Sequence, residues 1–355
     1  MPTIFSFIRS KKFILGICIF AILCAGVIIS NYERKSIQKK SGSNSYDYLF
    51  VNGNESSDHK LLTIPINGII LTEQIPDVNP FDLFGGMSAT YGYEMKEKLY
   101  KLADDPSIEG IVFEIDSPGG TVTGSKAISD GIEYYRNKTK KPIIAHVVGE
   151  GLSGAYWSAS ATDWIIADTG CLTGSIGVLL GPMKYYDTVL EEGNLGQTIK
   201  TKDGISTTYF TSGTYKDTGS PYRKMSVEEI THWQKSVDIE YAIFLDHVKN
   251  TRKLSEDTIR NVIKALPYEN ERALKLRLID AIGSKEFAYK ELAKRAHLKK
   301  NDYQIVKLST KQGFLSSLFS SFSKSKSSQA NNLTLCILCN KPLFLHDPNL
   351  FWAGK

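Results

Sequence analysis

The sequence predicts an α/β fold, and three observations carry that prediction. Gly110–Ile115 (GIVFEI) and Pro142–Val148 (PIIAHVV) are short apolar runs of the kind that form buried parallel strands. Between them Val122, Ile128, Ile132 and Tyr135 keep helical spacing. Strand, helix, strand at these lengths is a βαβ unit, and the pattern then repeats downstream.

Taken in order, residues 61–71 (LLTIPINGIIL) predict a strand broken by an Asn-Gly turn signal, followed by a looser stretch through Pro76, Pro80 and Gly85-Gly86. A helix is predicted over 92–102, then the strand 110–115 and a tight turn at Asp116-Ser-Pro-Gly-Gly120. After the second apolar strand come a small-residue helix at 153–161, a strand at 164–167 and a Gly-punctuated segment at 173–178. Ser226 and Glu229 have capping-box spacing, and Ile230, Trp233, Val237, Phe244 and Val248 share one face of a long helix. A further helical stretch leads to the largely apolar segment 276–282 and a helix at 285–297.

Ahead of this domain (61–299) lie a basic segment (1–12), an uncharged apolar run (13–30) and a Ser-, Asn- and Lys-rich linker (31–60). The run FILGICIFAILCAGVIIS has the length needed to cross a hydrocarbon core of roughly 30 Å. Arg9, Lys11 and Lys12 before it resemble the start of a secretory signal. Its length and the lack of a small-x-small site in VIISNYERK favour an uncleaved transmembrane anchor. Basic residues flank both ends (Arg34, Lys35, Lys39 and Lys40 on the far side), so charge gives no orientation. From residue 300 to 355 Ser-rich, basic and apolar pieces alternate, as in a poorly ordered or peripheral tail.

The 355 residues, 42% hydrophobic and 23% charged, suffice for one sizeable core. The net charge of +5 is scattered and accompanied by no recognition motif, which argues against nucleic-acid binding. Of five cysteines only Cys171 is central, so no disulfide can staple the domain. Cys336 and Cys339 form one CxxC near His346 without a second pair, too little for a zinc site.

Two places carry candidate chemistry. The glycines of Asp116–Gly120 allow a sharp turn and free N–H groups that can stabilise an anion, although such turns commonly hold no ligand. Ser153 follows a strand and opens a helix, where a serine is most often an N-cap, but where ligands also bind at the ends of α/β strands. Histidine partners for Ser153 are unconvincing: His146 lies on a strand as a packed or hydrogen-bonded residue, His232 lies on the amphipathic helix, and His59, His247 and His297 have surface contexts.

In succession DSPGG, LSGAYWSASATD, LTGSIGV and SGTYKDTGSPYRKM resemble the signal peptide peptidase A family of serine peptidases, over residues 110–229. The resemblance implies a crotonase/ClpP-like spiral fold and a Ser153 nucleophile with Lys216 as general base. It also implies that Ser175 orients the lysine and that the N–H groups of Gly120 and Gly154 hold the oxyanion, with Gly119 shaping the turn. Lys216 can accept a proton only if neutral, and burial lowers a lysine pKa by up to about 3–5 units. The family further implies a single-pass anchor in a bacterial cytoplasmic membrane and an extracytoplasmic peptidase domain. A homo-oligomer is implied in which serine and lysine can come from neighbouring subunits, with extended peptide substrates such as remnant signal peptides and no metal or organic cofactor. Ala155 where the family has a second glycine, an insertion at 200–210 and a missing Gly-Arg around 267–273 are departures. The alternatives are a catalytically silent crotonase-like scaffold and an acyl-CoA-binding crotonase enzyme, which needs neither Ser153 nor Lys216.

Overall fold

The computed structural model describes residues 46–74, 88–183, 185, 191–194, 197–200, 210–221, 223–309 and 343–345. The chain divides into two units, Met1–Asp47 and Tyr48–Lys355, and every element below belongs to the second. Among the described residues no helix is long and apolar enough to cross a membrane; the apolar run 13–30 lies outside them, as do Cys336 and Cys339.

The fold is mixed α/β, as the alternation predicts. In chain order the elements begin with β1 (Tyr48–Gly53), β2 (Lys60–Leu71), β3 (Ala89–Tyr91), α1 (Gly92–Leu102), β4 (Ile108–Thr121) and α2 (Val122–Thr139). They continue with β5 (Ile143–Leu152), α3 (Gly154–Ser160), β6 (Trp164–Ala167), β7 (Leu172–Gly174), and the separate antiparallel hairpin β8 (Glu191–Asn194) and β9 (Gln197–Lys200). Then follow α4 (Val227–Arg252), a π-helical turn (Thr258–Ile263), β10 (Pro267–Glu269), α5 (Asn270–Lys275), β11 (Ala281–Ile282), α6 (Lys285–Arg295), β12 (Gln304–Leu308) and β13 (Leu343–Leu345). The main sheet runs β1-β12-β2-β4-β5-β6-β11, parallel throughout except for β1.

Burial explains the apolar strand sequences. Leu61, Val112, Ile144, Ile166 and Ile305 pack against Ala288, Tyr289, Leu292 and Ala293 of α6. Ile128, Ile132 and Tyr135 of α2 are fully buried, with Met95 and Leu99 of α1 beside them in the core. Parallel strands covered on both faces have no wet side to alternate toward.

Four sequence expectations change. β2 is unbroken at Asn67-Gly68, because the turn signal sits on a bulge where Ser117 and Pro118 of β4 oppose Gly68. β4 runs straight through Asp116–Gly120, where a turn is predicted, since β2 is long enough to keep pairing with it through Ile69↔Gly119 and Ile70↔Gly120. The bulge also accommodates Pro118, which has no N–H to give a ladder. Tyr48–Gly53, within the expected linker, pairs with β12. β12, placed in the tail by composition, is an interior strand with Ile305 fully buried. Ile305→Ala should therefore lower stability by about 2–5 kcal/mol in urea unfolding, a loss that a residue in a peripheral tail would not produce.

Candidate active site

Ser153 sits where β5 ends and α3 begins. Its N–H donates to Gly174 O at 2.8 Å, its carbonyl accepts from Trp157 N–H at 2.9 Å, and it is 2% exposed. Its backbone stands at φ 51°, ψ −118°, and its side chain makes no capping hydrogen bond. A side-chain-bearing residue in this conformation costs of order 1–3 kcal/mol, and such strain concentrates at functional sites. The N-cap role that its position suggests is thereby replaced by a strained turn fixed by β7 on one side and by the wholly buried α3 on the other.

The glycines of β4 lie beside it. A Cβ on Gly154 would stand 2.2 Å from Ser125 Oγ and 3.2 Å from Gly120 N, so the Gly120 amide and the residue after Ser153 are close neighbours. A Cβ on Gly120 would lie 1.9 Å from Ile70 O, a backbone atom that cannot step aside. Gly119, at φ 104°, receives the Ser117 hydroxyl as acceptor of its N–H at 3.1 Å. Asp116 Oδ1 accepts the Glu150 N–H at 3.1 Å, and burial together with the Asp116 charge raises the Glu150 pKa.

Ser175 follows Gly174, the residue whose carbonyl holds Ser153. It is 9% exposed with φ 54°, and its N–H donates to Leu266 O at 2.9 Å. Beside it Tyr268 of β10 pairs with Thr173, and the Tyr268 hydroxyl donates to Ile263 O at 2.6 Å. The stretch without the Gly-Arg pair thus packs as a short strand that backs Ser175.

Lys216 is not brought to these groups within one chain. It is exposed, and no hydrogen bond joins its side chain to Ser153 or Ser175 among the described residues. Its neighbours are strapped to the start of α4. Arg223 grips Asp217 with Nε and Nη2 at 2.7 and 2.8 Å and Glu229 with Nη1 and Nη2 at 2.9 and 2.7 Å. Tyr215 donates to Glu228 at 2.7 Å, and Trp233 Nε1 donates to Thr218 Oγ1 at 3.2 Å. Arg223 holds both the Asp217 and Glu229 carboxyls below their usual range, and Ser226 completes the capping box with Glu229. Sequence reasoning found the capping box but not this clamp, whose only sequence signal is the charge spacing of Asp217, Arg223 and Glu229.

His146 is a fully buried strand residue bonded to Gly283 O, as anticipated. His247 is not a surface group: it stacks on Trp157 of α3 at 5.0 Å and its Nε2–H donates to Trp157 O at 3.0 Å. Ala155 is fully buried, and 201–209 of the expected insertion lies outside the described residues.

Comparison with known proteins finds serine-peptidase relatives for part of this chain. Within it, residues 135–299 match the model of Peptidase family S49. A candidate protease of Methanocaldococcus jannaschii is 34% identical over 200 residues, 56% of this chain and 60% of that protein. A candidate signal peptide peptidase SppA of Enterococcus faecium is 26% identical, over 80% of this chain and 79% of that one. Protease 4 of Haemophilus influenzae is 29% identical over 52% of this chain and 28% of its own length. These matches agree with the resemblance to signal peptide peptidase A carried by the sequence motifs, and the chain spans 60% of the length of the archaeal protein and 28% of that of Protease 4. Among solved structures, the 1510-N membrane-bound stomatin-specific protease with a substrate peptide aligns at TM-score 0.39 and 16% identity, covering 75% of this chain and 98% of that one.

Burial pushes His247 down to about 4 from its ordinary 6.5. Between those values the unfolded chain binds a proton that the folded chain refuses, so stability falls as pH falls through this window, by up to about 3 kcal/mol. Urea midpoints measured from pH 7 to 4 should show this slope reduced in His247→Gln relative to wild type.

Proposed function

We propose that the chain is a membrane-anchored serine endopeptidase acting through Ser153 and Lys216. The observation that carries this reading is the strained Ser153 backbone beside the Gly120 amide, which is the pairing of nucleophile and anion donor that acyl transfer requires. The S49 match over 135–299 supports it. A crotonase/ClpP-like spiral is the finer form of the α/β fold proposed here.

In this mechanism Ser153 Oγ attacks the scissile carbonyl carbon while its proton passes to a neutral Lys216 Nζ. The carbonyl oxygen becomes an oxyanion held by the N–H groups of Gly120 and Gly154. Collapse breaks the C–N bond, and the Lys216 ammonium returns the proton to the departing amine. Water then attacks the acyl-enzyme, losing its proton to Lys216, and Ser153 is restored. Ser175 orients the lysine amine, and the Arg223 clamp holds the turn that presents it.

An exposed Lys216 needs desolvation to act as a base, and a second copy of the chain is the proposed source. Val227, Ile230, Ile239 and Ile243 of α4 are more than 40% exposed, apolar surface that assembly would bury. Substrates are extended peptides, remnant signal peptides among them. The 13–30 run anchors the protein in the bacterial cytoplasmic membrane with the peptidase domain outside the cytoplasm.

Ser153→Ala and Lys216→Ala should each lower casein cleavage by about 10³-fold or more while preserving assembly. Subunits of the two variants, dissociated and reassembled together, should regain activity if serine and lysine come from different copies. Retained activity in either single variant would overturn the assignment. Arg223→Gln should lower kcat about tenfold with KM little changed, the signature of a displaced base rather than lost substrate contacts.

A further inference from the structure

The strand ends opposite Ser153 carry a second concentration of charge. α2 closes on Lys140 at φ 59°, and α6 ends just before His297, also at φ 59°. Both helix ends meet the starts of β5 and β6 around a cleft of about 550 Å³, lined by Arg136, Lys140, Lys141, Asp163, Arg295 and His297 among others. Ser153 lies just past the far end of the ten-residue β5, roughly 30 Å away, so this cleft is separate from the candidate active site.

Some of these charges are already matched. Arg136 pairs with Asp163 Oδ1 at 3.3 Å, while Asp163 Oδ2 accepts the Ile143 N–H at 2.9 Å. Lys141 Nζ donates to the Pro106 and Ile108 carbonyls and stands 4.0 Å from Glu109. Arg295 lies over the Trp164 ring, 4.1 Å from its centroid, with Nε 3.4 Å from Glu291, a carboxylate that Lys294 also approaches at 3.8 Å. Among the described residues the Arg295 Nη groups, the Lys140 ammonium and the His297 ring have no hydrogen-bond partner. Cations at helix C-termini often do no more than face the macrodipole. Here backbone N–H groups already cap the terminal carbonyls, Lys140 on Arg136 O, Ala296 on Leu292 O and Leu298 on Ala293 O, each at 2.9 Å. Lys140 and Arg295 are left to face a ligand.

We propose that this cleft binds a phosphoryl anion, with Arg295 and Lys140 as its principal ligands. A guanidinium laid against an indole ring keeps its fork of donors in place, which suits two oxygens of a phosphoryl group, and the ammonium adds a point charge. The cleft has room for a phosphate and its substituent, so the anion is either a soluble phosphorylated compound or the headgroup of an anionic phospholipid. The site is independent of the reading of Ser153 and Lys216.

The test is equilibrium dialysis of the detergent-purified full-length chain against radiolabelled inorganic phosphate at fixed ionic strength. Binding should saturate at one phosphate per chain and weaken about tenfold or more when Lys140→Gln and Arg295→Gln are combined. Lys140→Gln alone alters an exposed side chain without a partner, so it leaves the fold intact, and it should weaken binding about threefold. Lys138→Gln, which removes an equal charge that is paired with Asp104 outside the cleft, should leave binding unchanged. Absence of saturable binding, binding that survives in both the single and the double variant, or an equal loss in Lys138→Gln would overturn the site. Micelles doped with phosphatidylglycerol or with phosphatidylcholine then identify the source. Displacement of phosphate by the first alone assigns the site to an anionic headgroup, and displacement by neither assigns it to a soluble phosphoryl compound; the site stands in both cases.

Discussion

Gly120 lies so close to Ile70 that no side chain fits between them, and this contact fixes the register of β4 on β2 beyond the bulge at Gly68. The rest of the candidate site depends on that register. It carries β4 past the point where β5 departs, leaving Gly119–Thr121 as a platform beside the junction of β5 and α3. β7 completes the frame by holding Ser153 through the Gly174 carbonyl. The strain at Ser153 is sustained because sheet, helix α3 and the β7–β10 pair each fix one side of it, so the local cost is carried by a large buried surround.

Much of this was legible in the sequence, and the limits have physical reasons. The βαβ alternation declares itself because strands buried on both faces must be apolar along their length. Ser153, Ser175 and the three glycines are flagged by motif, and the structure gathers them around one junction. The Asn67-Gly68 and Gly119-Gly120 pairs read as turns because glycine permits turning, yet here they serve a bulge and a close backbone approach. β12 was hidden in a basic, polar stretch, since only Ile305 and Val306 of it are fully buried. His247 looked exposed because the ring of Trp157 that covers it lies 90 residues earlier.

The lysine tells a different story from the serine. Ser153 is immersed in the core of its own chain, whereas Lys216 stands on a turn held to α4 by polar straps and open to solvent. The proposed mechanism requires the lysine to be desolvated, which couples catalysis to whatever buries that turn. The exposed apolar residues of α4 near this turn make assembly a natural source of that burial. The polar clamp through Arg223 holds the turn to the start of α4 within a single chain, and the proposed mechanism uses it to preorganise the lysine.

The central claim is that Ser153 is an activated nucleophile. The most direct measurement is peptide-mapping mass spectrometry of the full-length assembled protein after treatment with a serine-directed fluorophosphonate. The account predicts one stoichiometric adduct on Ser153, lost in Lys216→Ala assemblies. Labelling elsewhere, or undiminished labelling of Ser153 without the lysine, would contradict it.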